Sequence, residues 1–159
     1  MKKVWVFCFL TLFLTGCAAA DTWETIADEP DAAVMAVPGE VFLELPEEAA
    51  SPVLHSDMQQ VYLCEDYEII LENHTAGDLT RTIRSLTGFD REGLTVIKTA
   101  QGTADRYEFV WACAGEKGER LGRAVILDDG QYHYCLSVLR DSGTDPEGIE
   151  PLFASFRLI

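Results

Sequence analysis

The chain has 159 residues, of which 48% are hydrophobic and 10% aromatic, and its 27 acidic and 12 basic side chains give a formal net charge of −15. This length suits one globular domain and is too short for two of ordinary size. The aromatic content excludes general disorder. The acidic excess argues against nucleic acid as a partner, because a phosphate backbone would be repelled before any specific contact formed.

The N-terminal residues have the pattern of an export signal. Lys2 and Lys3 are followed by an apolar run over 4–14, which is shorter than the roughly 20 residues that a membrane-spanning helix needs. The run ends in the sequence LTGC, and Cys17 is its last residue. This order resembles the lipobox of bacterial lipoproteins, which implies cleavage before Cys17 and attachment of lipid, palmitate included, to its sulfur. An ordinary leader with a chance cysteine is the alternative.

The chain divides into three predicted segments: a lipoprotein signal peptide over 1–16, an acidic flexible tether over 17–39 and a single globular domain over 40–159. Between Ala18 and Thr80 there are 15 acidic and no basic residues. Such a surface is repelled by anionic headgroups, so the lipid on Cys17 alone must hold the protein on the membrane. We expect a lipid-anchored protein on the extracytoplasmic face of the cell membrane. Trp23, Ile26 and Met35 leave open a short tether helix that packs on the domain.

Apolar residues in the domain recur mainly with strand periodicity. Strands are predicted over 41–45, 61–64, 67–71, 94–98, 106–114, 121–127 and 132–139. Asp129-Gly130 between two apolar runs is a hairpin signal, and a two-residue loop there pairs Asp128 with Gln131 and Ile126 with His133. One sheet face then carries Leu121, Val125, Leu127, Tyr134, Leu136 and Val138. The other carries Tyr107, Phe109, Trp111, Ala124, Ile126 and Cys135. Both faces are apolar, so each needs a cover.

Two helices are predicted, and their positions follow from capping residues and helical spacing. Asp78 suits the N-cap of the first and Gly88 its C-terminal left-handed position, with Arg81 and Arg84 on the exposed face. The second begins near Asp145-Pro146, with Pro151 in its first turn. Its apolar stripe comprises Ile149, Leu152, Phe153 and Phe156.

The element order of strands, helix, four-strand run and closing helix with Phe153-Ala154-Ser155-Phe156 resembles the α/β/α sandwich of PsbP-like proteins. The resemblance covers about 40–159. It implies an α+β fold, with an antiparallel sheet of about six to seven strands covered by helices on both faces. It also implies a small non-enzymatic module that binds or helps to assemble an envelope protein, or that binds a small ligand.

Three cysteines, Cys64, Cys113 and Cys135, remain after the leader and the lipidation site are set aside. Cys113 and Cys135 fall on strands separated by a middle strand, which places them at least about 9 Å apart and beyond disulfide reach. A disulfide would therefore join Cys64 to one of the other two. The alternative is three free thiols buried as small apolar side chains.

The sequence contains no nucleophile elbow, phosphate loop or metal-ligand spacing, so we expect neither an enzyme nor a cofactor nor a metal site. The 115–119 segment, with two glycines, is predicted to be a hairpin loop. One alternative is an envelope hydrolase with the dispersed carboxylates Glu108, Asp128 and Asp129. Another is an acidic module that responds to cations.

A binding surface, if present, is expected on the rim of the sheet. Its candidate residues are Tyr67, Trp111 and Tyr132, whose amphipathic rings suit recognition, with Arg81, Arg84 and Arg123 available to an anionic group. The alternative is that the aromatic side chains pack in the core and that the arginines offset neighbouring acidic residues.

Overall fold

The computed structural model of the chain describes residues 39–116, 118–144 and 149–159. The predicted signal peptide and nearly all of the predicted tether therefore lie outside the described residues, as does the predicted start of the second helix. The described elements are, in chain order, β1 (Val41–Phe42), β2 (Leu54–His55), β3 (Gln59–Leu63), β4 (Tyr67–Thr75), α1 (Leu79–Thr87), a 3₁₀ turn (Arg91–Gly93), β5 (Ile97–Gln101), β6 (Ala104–Gly115), β7 (Gly118–Asp128), β8 (Tyr132–Asp141), α2 (Ile149–Ser155) and β9 (Arg157–Leu158).

Seven of these strands form one antiparallel sheet in the order β2-β3-β4-β8-β7-β6-β5. The longest pairings lie in its middle, where β4 pairs with β8 from Tyr67 opposite Arg140 to Thr75 opposite Tyr132. The two remaining strands, β1 and β9, pair with each other. The α+β class is confirmed, with an antiparallel sheet and two α-helices in the described part of the chain.

Helix α1 has the bounds that its capping residues predict. The Oδ1 atom of Asp78 accepts a hydrogen bond from the backbone N–H of Thr80, which satisfies one of the free donors of the first turn. Gly88 adopts φ 79° and donates its N–H to the carbonyl of Arg84. Only glycine takes this left-handed conformation without steric cost, so the helix ends where the sequence places a glycine.

The hairpin between β7 and β8 differs by two residues from the predicted pairing. Asp128 lies opposite His133 and Ile126 opposite Cys135, and the N–H of Asp129 donates to the carbonyl of Tyr132, so the two-residue loop is Gly130-Gln131, one residue later than predicted. The Oδ1 atom of Asp129 accepts hydrogen bonds from the backbone N–H groups of Gln131 and Tyr132, which stabilises this turn. A shift of two keeps every side chain on its predicted face, because strand side chains alternate with a period of two.

Two hydrophobic clusters occupy opposite faces of the sheet. The front cluster consists of buried apolar side chains from β3, β4, β7, β8, α2 and the loops: Ala49, Tyr62, Tyr67, Ile69, Val125, Leu127, Tyr132, Tyr134, Leu136, Val138, Leu152, Phe153 and Phe156. The back cluster comprises Ile83, Tyr107, Phe109, Trp111, Ala124, Ile126 and Cys135. The face assignments predicted for β6, β7 and β8 are confirmed for these buried residues. Ile83 belongs to α1, and Leu152 and Phe153 belong to α2.

Several short elements depart from prediction. Strand β1 ends at Phe42 instead of continuing over 41–45, because its partner β9 offers only two residues and the N–H of Glu44 donates to the Ser155 hydroxyl instead. Strand β5 begins three residues later than predicted, since Leu94 and Val96 pack against the back cluster before the strand starts. Pro151 is the third residue of α2 and lies in its first turn, as predicted. Phe156 follows the helix but remains buried.

Candidate functional site

A cleft of about 740 Å³ opens at one end of the large sheet. Strand β3 ends here, β4 begins here, and the β6–β7 hairpin and the end of β8 complete the opening. The backbone N–H of Cys64 donates to the carbonyl of Tyr67, which closes the β3–β4 turn on one side. The lining residues are Leu63, Cys64, Glu65, Asp66, Tyr67, Glu68, Cys113, Ala114, Gly115, Glu116, Arg120, Leu139 and Asp141.

Arg120 is the single basic side chain among these lining residues. One of its terminal nitrogens lies 3.1 Å from Oε1 of Glu68 and also donates to the carbonyl of Leu139. Its Nε lies 3.7 Å from Oδ1 of Asp141. The guanidinium is thus already offset by two carboxylates from the neighbouring strands. The guanidinium therefore links β7 to β4 and β8 beside the cleft and is not free to attract an anion.

The cleft has a negative rim and a partly apolar interior. Glu65, Asp66 and Glu116 add three carboxylates to the two that face Arg120. Leu63, which is 54% exposed, and Leu139 contribute apolar surface beside them. A site of this kind favours a positively charged group carried on an apolar stem, because the carboxylates attract the charge while the stem covers the leucines.

Two half-buried thiols, Cys64 and Cys113, also line the cleft, and Cys135 is buried in the back cluster. All three thiols are free. Burial raises the pKa of Cys64, and the negative charge of Glu48 raises it further against an opposing hydrogen bond with Tyr67. Burial likewise raises the pKa of Cys135. Since the thiolate is the nucleophilic form, neither Cys64 nor Cys135 is activated at neutral pH.

The three aromatic residues predicted for the rim are not brought together. Tyr67, Trp111 and Tyr132 are 3%, 6% and 8% exposed and belong to the two hydrophobic clusters. Tyr67 and Tyr132 lie at opposite ends of the β4–β8 pairing, about 26 Å apart along the strands. Only Tyr67 lines the cleft, where its hydroxyl donates to Oε1 of Glu48 at 2.6 Å. Burial and this hydrogen bond raise the pKa of Tyr67, so it stays neutral.

The three arginines predicted for an anion site are also separated. Arg81 and Arg84 lie exposed on α1, and Arg84 forms an ion pair with Asp90. Arg123 projects from the opposite face of the sheet, because it alternates in phase with the front-cluster residues of β7. It pairs with Glu150 and lies 4.3 Å from the centre of the Phe153 ring. Arg84 and Arg123 thus offset nearby acidic residues, which is the alternative that the sequence left open.

The carboxylates named for a hydrolase do not form an acid–base pair. Partial burial alone would raise the pKa of Glu108, but Arg106 and Arg123 together hold it below its usual value. Asp128 and Asp129 lie in the β7–β8 turn, where both accept hydrogen bonds from backbone N–H groups. Glu108 is on the front face of β6, and Asp128 alternates with the back-face residues of β7. None of these carboxylates lines the cleft at the sheet end.

Asp128 does join a chain of side chains that has the order of a catalytic triad. Its Oδ2 lies 3.5 Å from Nε2 of His133, and Nδ1 of His133 lies 2.8 Å from Oγ1 of Thr82 on α1. Thr82 and His133 are only 6% and 1% exposed, so a substrate cannot reach the hydroxyl. The hydrogen bond between Thr82 and His133 attaches α1 to the sheet and has a structural role. Sequence reasoning missed Thr82, because nothing in its local pattern relates it to β8.

Two further findings concern the described residues alone. No group of three or more His, Cys, Asp or Glu side chains in 39–116, 118–144 and 149–159 is arranged to hold a metal ion. Within the same ranges, none of the helices combines the length and the apolar character that crossing a bilayer requires.

Comparison with known proteins gives little similarity. No family model matches the chain, and no curated protein matches it. A crystal structure of a protein from Bacteroides thetaiotaomicron VPI-5482 superposes with a TM-score of 0.48 at 11% sequence identity. The match covers 69% of this chain and 41% of that one, so the chain spans less than half of that protein's length.

Proposed function

We propose that the chain is a bacterial lipoprotein that is held on the extracytoplasmic face of the cell membrane by lipid on Cys17. The support is the order of its first residues: Lys2 and Lys3, the apolar run over 4–14, and the LTGC sequence that ends at Cys17. Two or more acyl chains give stable anchoring, whereas the acidic tether gains nothing from an anionic membrane.

We further propose that the domain over 40–159 is a PsbP-like α/β/α sandwich. Helix α1 contributes Ile83 to the back cluster, and α2 contributes Leu152 and Phe153 to the front cluster. Each helix therefore adds apolar side chains to a different face of the same sheet, as the sandwich architecture requires.

The proposed activity of this domain is binding, and the cleft at the sheet end is the observation that carries it. Its lining holds five carboxylates and one guanidinium, that of Arg120, which is already paired with two of them. We assign it a basic segment of an envelope protein, in which lysine or arginine stems cover Leu63 and Leu139. Catalysis by Cys64 or Tyr67 is not proposed, because burial raises the pKa values of this thiol and this phenol and keeps both in the neutral, weakly nucleophilic form.

The anchor is tested by mass spectrometry and by fractionation of cells that produce the full chain. Protein extracted from membranes should begin at Cys17 and carry the added mass of acyl chains. The Cys17→Ser variant should leave the membrane fraction. Retention of this variant in the membrane, or an unmodified chain with its leader attached, would contradict the anchor.

The cleft is tested by removing its rim charges. The triple variant Glu65→Gln, Asp66→Asn, Glu116→Gln should bind a blocked peptide of alternating lysine and leucine roughly five- to twentyfold more weakly than wild type at low salt, since each carboxylate within about 7 Å of a cation adds about 0.6 kcal/mol. The matched control, Glu47→Gln, Asp57→Asn, Glu92→Gln, loses the same charge at positions that do not line the cleft.

Fluorescence anisotropy of the labelled peptide gives the dissociation constants. A control peptide with glutamate in place of lysine should bind neither of the two triple variants. Equal weakening in the two triple variants would mean that net charge, and not the cleft, attracts the peptide, and it would refute the assignment.

A further inference from the structure

Among the residues that the structure describes, strand β5 is the outermost strand of the large sheet and pairs with β6 alone. Four of its five residues are exposed, and Gln101 is half-buried. The opposite edge is β2, which has only two residues. Short outer strands limit unwanted pairing, whereas a five-residue outer strand offers a usable row of free backbone groups. The edge at β5 is therefore the one open to strand addition.

The hairpin geometry fixes which backbone groups of β5 point outward. Gly102 and Thr103 form its two-residue turn, and Gly102 adopts φ 64° at the first turn position, as in a type II′ turn. The pair that closes such a turn, Gln101 with Ala104, is hydrogen-bonded. Hydrogen-bonded pairs recur at every second residue, so the N–H and C=O groups of Lys98 and Ala100 face away from β6.

We propose that two copies of the chain associate by antiparallel pairing of their β5 strands about a two-fold axis at Thr99. In this register Lys98 lies opposite the partner's Ala100, and Ala100 lies opposite the partner's Lys98. All four residues present outward backbone groups, so the two pairs form four hydrogen bonds. Thr99 meets the partner's Thr99, a favourable cross-strand pair. The surface is thus self-complementary, as a two-fold interface must be.

The charges near this edge permit the association. Lys98 supplies the one charge of β5, and its Nζ already lies 2.8 Å from Oδ2 of Asp105 in the same chain. The neighbouring charges of β6 are also paired, since Nε of Arg106 lies 2.8 Å from Oε1 of Glu108. Of the described residues, 39–80 hold ten acidic and no basic side chains. Strands β2 and β3 carry none of these acidic residues, and Glu68 and Glu72 lie on β4, four strand spacings from β5.

Four strand spacings separate β4 from β5, or about 19 Å. Pairing at β5 would put Glu68 and Glu72 of one copy roughly 40 Å from those of the other, several Debye lengths at physiological salt. Pairing at β2 would reduce this distance to about 24 Å. The paired charges beside β5 and its distance from the β4 carboxylates therefore make β5 the edge that a second copy can approach.

Apolar side chains beside the edge add to the contact. Ile97 and Val110 are 60% and 64% exposed, and both lie on the front face, because Ile97 is opposite Glu108 and Val110 is two residues further along β6. In the proposed register the stem of the partner's Gln101 lies against Ile97. This covers part of an apolar surface that is left open by a single copy.

Cysteine cross-linking of the full chain in native membranes tests the register. Thr99→Cys should form a disulfide-linked dimer on mild oxidation, because the two Cβ atoms of such a pair lie about 5 Å apart. Gln101→Cys is the matched control, since its thiols would be about 13 Å apart along the strands. Wild type gives the background from the native thiols. No dimer with Thr99→Cys, or equal cross-linking with Gln101→Cys, would overturn the proposal.

Proline substitution tests the backbone pairing itself. Ala100→Pro removes an outward N–H and is tolerated at a sheet edge, so the pairing with β6 should survive. Ala100→Ser keeps the N–H. Light scattering of detergent-extracted full chain should give a dimer for wild type and Ala100→Ser, and at least a tenfold weaker dimer for Ala100→Pro. Circular dichroism checks that Ala100→Pro remains folded. A monomeric wild type, or a folded Ala100→Pro that dimerises as wild type does, would contradict β5 pairing.

Discussion

Replacement of Gly122 by alanine should destabilise the domain through Trp111. Gly122 on β7 lies opposite Trp111 on β6, and the indole lies over the space where a side chain would be. A Cβ atom at this position would be 2.2 Å from Cε2 and 2.3 Å from Cζ2 of the indole. Ordinary contacts between carbon atoms are about 3.5–4.0 Å, so the ring must move by more than 1 Å.

The indole has little room for this movement. Trp111 is 6% exposed, and its ring centre lies 5.9 Å from that of Phe109. Overpacking of a well-packed core costs about 1–3 kcal/mol. For a domain of this size that cost lowers the melting temperature by roughly 4–12 °C. Gly122→Ala should therefore unfold at a lower urea concentration, with an unchanged m-value if the unfolded state is unaltered.

Urea denaturation followed by tryptophan fluorescence and near-ultraviolet circular dichroism measures this effect. Gly93→Ala is the matched control, because its new methyl group would have no atom within 4 Å. In a Trp111→Leu background, Gly122→Ala should cost less than about 0.5 kcal/mol, since the clash has been removed. Equal costs in the wild-type and Trp111→Leu backgrounds would refute the argument that the indole is the obstacle.

Two further predictions concern hydrogen-bonded polar groups. Thr82→Val leaves Nδ1 of His133 without its partner and should cost about 1–3 kcal/mol in urea denaturation, whereas Thr82→Ser should restore most of the stability; equal losses would contradict a role for the hydroxyl. Burial alone would raise the pKa of Asp129, but hydrogen bonds from Tyr132, Gln131 and Tyr134 hold it below its usual value of about 3.9. The ionised form therefore stabilises the folded state above that value, and this contribution is lost as the pH falls through the lowered pKa. The difference in the free energy of unfolding between wild type and Asp129→Asn should narrow between about pH 5 and pH 3. A difference that stays constant over this range would argue against a lowered pKa of Asp129.

Local signals predicted the elements that depend on local chemistry. Asp78 and Gly88 define both ends of α1, because capping requires only residues near the helix ends. The alternation along β7 and β8 identified both faces correctly even though the pairing is shifted by two residues. The shift arises from the side chain of Asp129, and a dipeptide signal for a short turn carries no information about such hydrogen bonds.

Elements that depend on distant partners were not predicted. Strands β2 and β9 have two residues each and exist because β3 and β1 are beside them. The cleft has the same origin, since it joins the β3–β4 turn to the β6–β7 hairpin across the width of three intervening strand pairings. Arg120 carries no sequence signal that separates it from Arg81, Arg84 or Arg123. Its partners Glu68 and Asp141 are neighbours only in the folded sheet.

The small β1–β9 sheet determines how the domain connects to anything joined to it. Val41 lies opposite Leu158, and the N–H of Ile159 donates to the carbonyl of Glu40, so the chain enters and leaves the domain at adjacent points. A stretching force applied between these two points would separate the residue pairs of β1 and β9 one after the other. The large sheet would bear the force only afterwards. A fluorescent protein fused after Ile159 would accordingly emerge beside Glu40, at the end of the sheet where Gly39 contacts Tyr134, and the cleft at the other end could be tested with the fusion in place.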